Sequence, residues 1–129
     1  MTIDLWMLLG CALLQWVLIM GVSVPLLVSH GLAWGAGNRD LQPTTTGWVG
    51  RTQRASDNLR ENLPLFAILV LVAHVSGAAD SMSATGAVLF FSTRVAHALV
   101  YIVGIPYLRT LMWMASIGGL VLILLSIVT

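Results

Sequence analysis

The sequence contains very little charge. Only 9% of its 129 residues are charged, whereas 58% are hydrophobic. A soluble domain has roughly a quarter of its residues charged, so a water-soluble globular fold is not expected. Lysine is absent, and the six basic residues are all arginines that leave a net charge of only +1. Because no stripe of basic residues is present, a nucleic-acid-binding function is excluded.

Cysteine is also scarce. Cys11 is the only cysteine, so no intrachain disulfide can form. The three histidines lie far apart in the sequence, and no Cys/His cluster has metal-ligand spacing, so no metal site is predicted. The chain is too short for two domains, and residues 1–129 are expected to form one domain that lies in the membrane.

Long apolar runs take the place of the missing charges. Four windows contain no charged residue, or only one: 5–38, 62–79, 81–108 (interrupted by Arg94) and 110–129. A bilayer core needs about 20 mostly apolar residues per helix, and continuous runs rather than alternation favour helices over a barrel. The sequence therefore predicts an all-α membrane protein, a bundle of four transmembrane helices with a kink at Pro25 in the first. The predicted helices lie near residues 5–30, 50–77, 82–104 and 107–128.

The arginines predict the orientation of the bundle. Five of the six flank the first and third predicted loops: Arg39, Arg51, Arg54, Arg60 and Arg109. The opposite side of the membrane has Asp4 and Asp80 but no arginine. Because positively charged loops remain in the cytoplasm, both termini are expected on the non-cytoplasmic side of an integral membrane protein.

Two of the predicted helices have a polar stripe. One stripe, on the second helix, comprises Arg51, Arg54, Asn58 and Glu61. The other, on the third helix, comprises Arg94, His97 and Tyr101. Spacings of three and four residues place the members of each stripe on one helical face. Ionisable groups inside a span cost about 2.5–3.5 kcal/mol each, so these groups need partners or a watery cavity.

Because the second and third helices run antiparallel, their stripes can be matched by depth. Three pairs are predicted to share a depth: Arg54 with Tyr101, Asn58 with His97, and Glu61 with Arg94. The deepest pair would set a carboxylate level with a guanidinium. The match predicts depth but not contact, and it leaves open whether the two faces meet within one subunit or across a subunit boundary. Arg94 is therefore interpreted as a structural partner of Glu61 rather than as a ligand-binding residue.

The order of the polar groups indicates the chemistry of a ligand. Arg51, Arg54 and Arg109 make the mouth of the stripes cationic, and a guanidinium binds a carboxylate through two parallel hydrogen bonds. Hydrogen-bond donors follow further in, and then Glu61. This arrangement favours a small polar ligand with carboxylates at the cytoplasmic interface and an amine near the glutamate.

The two stripes resemble motifs of the MAPEG superfamily, the membrane-associated proteins in eicosanoid and glutathione metabolism. The resemblance rests on the frame RxxRAxxNxxExxPLF at residues 51–66 and on RVAHxxxY at residues 94–101, followed by Arg109. It implies a homotrimer of four-helix subunits that binds glutathione at subunit interfaces on the cytoplasmic side. It also implies a bacterial-type member in the inner membrane.

The resemblance also implies roles for individual residues. The implied glutathione-binding residues are Arg51, Arg54, Asn58, Glu61, His97, Tyr101, Arg109 and Thr110. Arg109 would stabilise the glutathione thiolate, with Tyr101 as a second donor, and these two are the predicted catalytic residues. Asp57 departs from the pattern, because relatives have a basic or neutral residue there. This acid could weaken carboxylate binding or pair with Arg54 or Arg60.

The predicted function is a membrane-bound glutathione-dependent transferase or peroxidase whose thiolate attacks a lipophilic electrophile from the bilayer. One alternative is a non-catalytic scaffold of the same kind that binds a lipid or another thiol. Another is a small multidrug exporter, but such transporters use a glutamate in the first helix, and the predicted first helix contains no acidic residue. The identity of the electrophile, and the choice among conjugation, peroxidase and isomerase chemistry, stay open.

Overall fold

The computed structural model describes all residues from Met1 to Thr129 and consists of four helices without strands. The helices are α1 (Ile3–Ala36), α2 (Gly47–Val75), α3 (Ser81–Val103) and α4 (Pro106–Val128). Each is long and apolar enough to cross a membrane. The predicted all-helical, four-span bundle is therefore confirmed, with α3 and α4 packed together most extensively.

The largest difference from the predicted boundaries is in α1. This helix extends six residues beyond the predicted end, to Ala36. Its backbone leaves the helical region at Gly31, where φ is 83° and ψ is 167°, and not at Pro25, where a kink was expected. Glycine tolerates positive φ at little steric cost, so the chain can break and resume a helix at this position.

Local signals in the sequence set the ends of α3 and the start of α4. The Asp80 carboxylate accepts hydrogen bonds from the backbone N–H groups of Met82 and Ser83, which forms a capping box with the Ser83 side chain. At the other end, Gly104 adopts the left-handed conformation that commonly terminates helices. Pro106 then starts α4, where its fixed φ suits the first helical position.

The end of the bundle that contains both termini and the α2–α3 connection is packed mainly by apolar side chains, and we call it the apolar end. Its core consists of Cys11, Phe66, Val70, Ala73, Ala87, Phe90, Leu120 and Ile123. The rings of Phe66 and Phe90 stack with centroids 4.1 Å apart. Gly86 and Gly119 bring α3 and α4 so close that a Cβ atom on Gly86 would lie 2.6 Å from the Gly119 carbonyl oxygen.

Asp4 ties α1 to α3 at this end. The prediction placed it before the first helix, but it lies in the first turn of α1 and is only 3% exposed. The Ser83 hydroxyl donates a hydrogen bond of 3.1 Å to its Oδ2 atom. The first helix therefore does contain an acidic residue, although this residue is at the helix end and is part of a structural contact.

Candidate functional site

The opposite end of the bundle, with the connections at residues 37–46 and 104–105, contains a polar pocket of about 250 Å³. We call it the arginine end. Helices α2, α3 and α4 all contribute to the pocket wall, which is formed by Asn58, His97, Tyr101, Arg109, Thr110 and Trp113. The side chains on α3 are one helical turn apart, so regular helical spacing brings them to one wall.

Tyr101 is the side chain about which the charged groups of the pocket are arranged. The Arg109 Cζ atom lies 4.6 Å from the centroid of its ring, and the Arg54 Cζ atom lies 6.0 Å from it. The His97 ring meets it edge to face at 5.4 Å. Guanidinium groups are attracted to aromatic faces at such distances, so the tyrosine ring helps to hold two cations at one site.

Arg94 lies behind the pocket and contacts it through Asn58. Its Nη1 atom donates a hydrogen bond of 2.6 Å to the Asn58 Oδ1 atom. The Arg94 side chain is only 1% exposed, and its Cζ atom lies 5.2 Å from the centroid of the Phe90 ring. The buried guanidinium therefore contacts one wall residue of the pocket directly.

The positive charge around the pocket has no negative counterpart in the chain. The structure contains one ion pair, between Arg60 and Asp57 at 3.5 Å. Arg54, Arg94 and Arg109 pair with no carboxylate. Three guanidinium groups thus lie in or beside one small pocket without compensation, which makes the pocket electrostatically suited to an anion.

Glu61 and Arg94, interpreted as structural partners, do not contact each other within the subunit. Glu61 is exposed, and Arg94 donates to Asn58 instead. Positions 58 and 61 share a broad helical face, but three residues correspond to a rotation of about 60° around the helix axis. Asn58 points toward α3, whereas that rotation leaves Glu61 on the outside of the bundle.

The structure places the eight predicted binding residues in three groups. Five line the pocket: Asn58, His97, Tyr101, Arg109 and Thr110. Arg54 lies at its rim, exposed and within reach of the Tyr101 ring. Arg51 and Glu61 lie outside the wall, and the Arg51 Nε atom donates to the backbone carbonyl oxygen of Ile102 at 2.7 Å, near the end of α3.

Sequence reasoning missed Trp113 as part of the pocket wall. The signal was available, because Trp113 follows Arg109 by four residues on α4 and therefore lies on the same helical face. Trp113 also lies near a helix end, where tryptophans commonly contact the membrane interface, so its position alone did not indicate a pocket residue. The indole adds an apolar surface to a wall that is otherwise polar.

Asp57, the residue that departs from the motif, pairs away from the pocket. Its Oδ1 atom accepts a hydrogen bond of 2.9 Å from the Gln53 amide and lies 3.5 Å from an Arg60 nitrogen. Of the two possibilities left open by the sequence, pairing with Arg60 is the one observed. The carboxylate is not part of the pocket wall.

A larger cavity, of about 460 Å³, lies beside α3 nearer the apolar end. It is lined by Ile3, Ala84, Thr85, Val88, Leu89 and Ser92. None of these side chains is ionisable, and the wall is mainly apolar, so the cavity offers no chemistry beyond apolar contact and two hydroxyl groups. The smaller pocket is therefore the candidate functional site.

Comparisons with known proteins assign the chain to a family. The family model described as the MAPEG family matches residues 4–129. No curated protein and no solved structure matches the chain. The match includes all four helices and every residue of the pocket wall. The chain is therefore a member of the MAPEG family, the membrane-associated proteins of eicosanoid and glutathione metabolism.

Proposed function

We propose that the protein is a glutathione-dependent transferase or peroxidase of the membrane, with its site in the pocket at the arginine end. Glutathione would be bound as an anion and its sulfur used to attack a lipophilic electrophile that enters from the bilayer. The observation that carries this proposal is the uncompensated charge of Arg54, Arg94 and Arg109 around the pocket.

The electrostatics favour glutathione because it has two carboxylates and a thiol that can ionise. Bringing three guanidinium groups together without a carboxylate is unfavourable for the empty protein, and a bound anion relieves that repulsion. Arg54, which is exposed at the rim, can bind a carboxylate through two parallel hydrogen bonds. A neutral lipid would leave the same repulsion in place.

Thiolate formation is the chemical role that Arg109 supports. A free thiol has a pKa of about 8.5, so little thiolate exists at neutral pH. Arg109 and Thr110 lie within the first five residues of α4, where the helix dipole also favours negative charge. A sulfur beside Arg109 would ionise more readily, and the Tyr101 hydroxyl would be a second donor to it.

A neighbouring subunit would complete the site. Arg54 and Glu61 are exposed, although both lie in a helix long and apolar enough to cross a membrane. An ionisable group that faces lipid costs about 2.5–3.5 kcal/mol, and contact with a second subunit or with its ligand removes that cost. The homotrimer that the family resemblance implies would supply this contact, and would bring Glu61 near an amine of glutathione.

The proposed orientation follows from the arginines. The arginine end includes Arg39 in the α1–α2 connection, whereas Asp80 lies in the α2–α3 connection at the other end. By the positive-inside rule the pocket faces the cytoplasm, where glutathione is available, and both termini face away from it.

Titration of the purified protein with glutathione tests the proposal. We expect saturable binding to the wild-type protein in detergent, weakened in Arg54→Ala and unchanged in Arg60→Ala. The two variants are matched, because both remove an exposed arginine from α2 but only Arg54 lies at the pocket. Turnover is then measured with a panel of hydrophobic electrophiles and a lipid hydroperoxide.

Three results would contradict the proposal or its enzymatic part. Equal affinities of the Arg54→Ala and Arg60→Ala variants would place glutathione elsewhere. Wild-type protein that ignores glutathione but retains a tightly bound lipid would favour a non-catalytic scaffold. Binding without turnover of any electrophile would keep the ligand but remove the enzymatic role.

A further inference from the structure

Arg94 is a buried cation that the proposed thiol chemistry does not use. It lies on α3 with 1% of its surface exposed, and its Nε and Nη2 atoms have no hydrogen-bond partner. Buried polar atoms without partners are rare because they lose their water without replacement. An apolar side chain at this position would avoid that loss, so the fold alone does not account for the arginine.

The one hydrogen bond that Arg94 makes determines the orientation of the Asn58 amide. A guanidinium can only donate, so the atom at 2.6 Å from its Nη1 must be the amide oxygen and not the amide nitrogen. The Asn58 Nδ2 group is then directed away from Arg94, and no protein acceptor bonds to it. Since Asn58 lines the pocket, the amide N–H donors are left for a ligand.

We propose that Arg94 is a positioning residue that holds the Asn58 side chain as a dedicated hydrogen-bond donor to the bound ligand. Without it the amide could turn and present its oxygen, which would repel an anion. The bond to a charged donor also polarises the amide, so its N–H groups become stronger donors. The proposal rests on glutathione as the ligand of the pocket, and it identifies the group that Asn58 contacts as an acceptor.

A positioning role and a structural role of Arg94 predict different combinations of melting temperature and glutathione affinity. In Arg94→Met the buried unpaired nitrogen atoms disappear, and the Asn58 oxygen can be hydrated from the pocket. The melting temperature is therefore expected to be unchanged or higher, whereas glutathione affinity falls by about tenfold or more. If Arg94 only held the helices together, its replacement would lower the melting temperature, and glutathione affinity would fall only because the fold is less stable.

Asn58→Asp is the matched variant, because it keeps an acceptor for Arg94 but removes the N–H donors. It would form an ion pair with the buried guanidinium, so we expect a higher melting temperature together with loss of glutathione binding. Arg94→Lys retains a charged donor and should restore part of the affinity that Arg94→Met loses. Arg60→Met serves as the control for removal of an arginine from outside the pocket.

The side-chain amide of Asn58 gives a readout that needs no ligand. The chain contains only three asparagines, Asn38, Asn58 and Asn62, so selective ¹⁵N labelling gives three side-chain amide signals. The signal that disappears in Asn58→Asp is that of Asn58. In Arg94→Met we expect this signal to shift, because the amide oxygen loses its charged donor, while the signal of Asn38 stays unchanged.

The outcomes distinguish this proposal from the proposed function. Asn58 signals that are identical in the wild type and Arg94→Met would overturn the positioning role, whether or not glutathione binds. So would Arg94→Met with wild-type affinity, or Asn58→Asp that still binds glutathione. If the wild type binds no glutathione but the Asn58 signal depends on Arg94, the proposed function fails and the positioning of the donor stands.

Discussion

The two ends of the bundle are built on opposite principles, although the same helices pass through both. At the apolar end, stacked phenylalanine rings and touching glycine backbones fill the interior. The one buried carboxylate there, Asp4, accepts a hydrogen bond from the Ser83 hydroxyl at Oδ2, whereas its Oδ1 atom has no partner. At the arginine end, α2, α3 and α4 surround a pocket with uncompensated positive charge and a buried arginine that has two unpaired nitrogen atoms.

The difference indicates which part of the molecule provides stability and which part is held ready for a ligand. Helix association in a membrane depends on close packing, because lipid is as apolar as the side chains it would replace. The apolar end supplies that packing. The arginine end keeps unfavourable features that a bound anion would relieve, and such features are concentrated at functional sites.

The largest effect is expected from Arg109→Ala at the arginine end. Loss of the cation raises the pKa of the bound thiol, so the thiolate forms only at higher pH. A rise of about two pKa units corresponds to roughly 2.7 kcal/mol and lowers the thiolate content at neutral pH by up to about a hundredfold. Ultraviolet difference absorbance of bound glutathione measures the thiolate content, and Arg60→Ala is the control variant. The same thiolate signal in both variants would remove Arg109 from this role.

A second prediction concerns the apolar end and the fold alone. Gly86→Ala would place a Cβ atom 2.6 Å from the Gly119 carbonyl oxygen and force α3 and α4 apart. We expect a loss of about 1–3 kcal/mol of stability, seen as a lower melting temperature. Gly118→Ala is the matched control, since its nearest contact is 4.0 Å away, at Leu89. Equal melting temperatures of the two variants would show that this helix contact does not limit the packing.

Arg54→Ala is expected to have a smaller effect, about 1.4 kcal/mol, or tenfold in glutathione affinity. The residue is exposed at the rim, so it contributes a contact to a carboxylate but does not shape the wall. Calorimetry at two salt concentrations measures the effect, and the difference from the wild type should shrink at high salt. A difference that is independent of salt would mean that Arg54 acts through packing instead of charge.

The smallest effect is expected from Asp57→Asn. Its carboxylate is already engaged by Gln53 and Arg60, and surface ion pairs contribute at most about 1 kcal/mol. Glutathione affinity should therefore change by less than about threefold. If affinity instead rises strongly in a binding assay, the acid at this position repels the ligand despite its partners.

The features set by local sequence could be predicted, and those set by rotation between helices could not. The uncharged runs located three of the helices to within a few residues. The polar stripes identified three of the six residues in the pocket wall, Asn58, His97 and Tyr101, and the family resemblance added Arg109 and Thr110. The contact of Arg94 with Asn58 could not be predicted, because two positions on one stripe differ by only a small rotation, and that rotation depends on how all four helices pack.

The end of α1 is a second feature that local sequence predicted only in part. The sequence predicts that the first helix ends near residue 30, and the backbone does leave the helical region at the next residue, Gly31. The helix then continues to Ala36 because residues 32–36 contain no proline, and the Trp34 indole bonds to the Leu41 carbonyl oxygen beyond it. A single glycine marks a break, but it does not indicate whether the helix resumes.

The central claim is that the pocket binds glutathione as a thiolate, and proton release on binding tests it most directly. Glutathione and S-methylglutathione are titrated into the wild-type protein at neutral pH, in buffers of different ionisation enthalpy. The account predicts that glutathione releases close to one proton per site, because its thiol ionises on binding, whereas the methylated compound, which has no thiol, releases none. Equal proton release by the two compounds, or no binding of either, would contradict the claim.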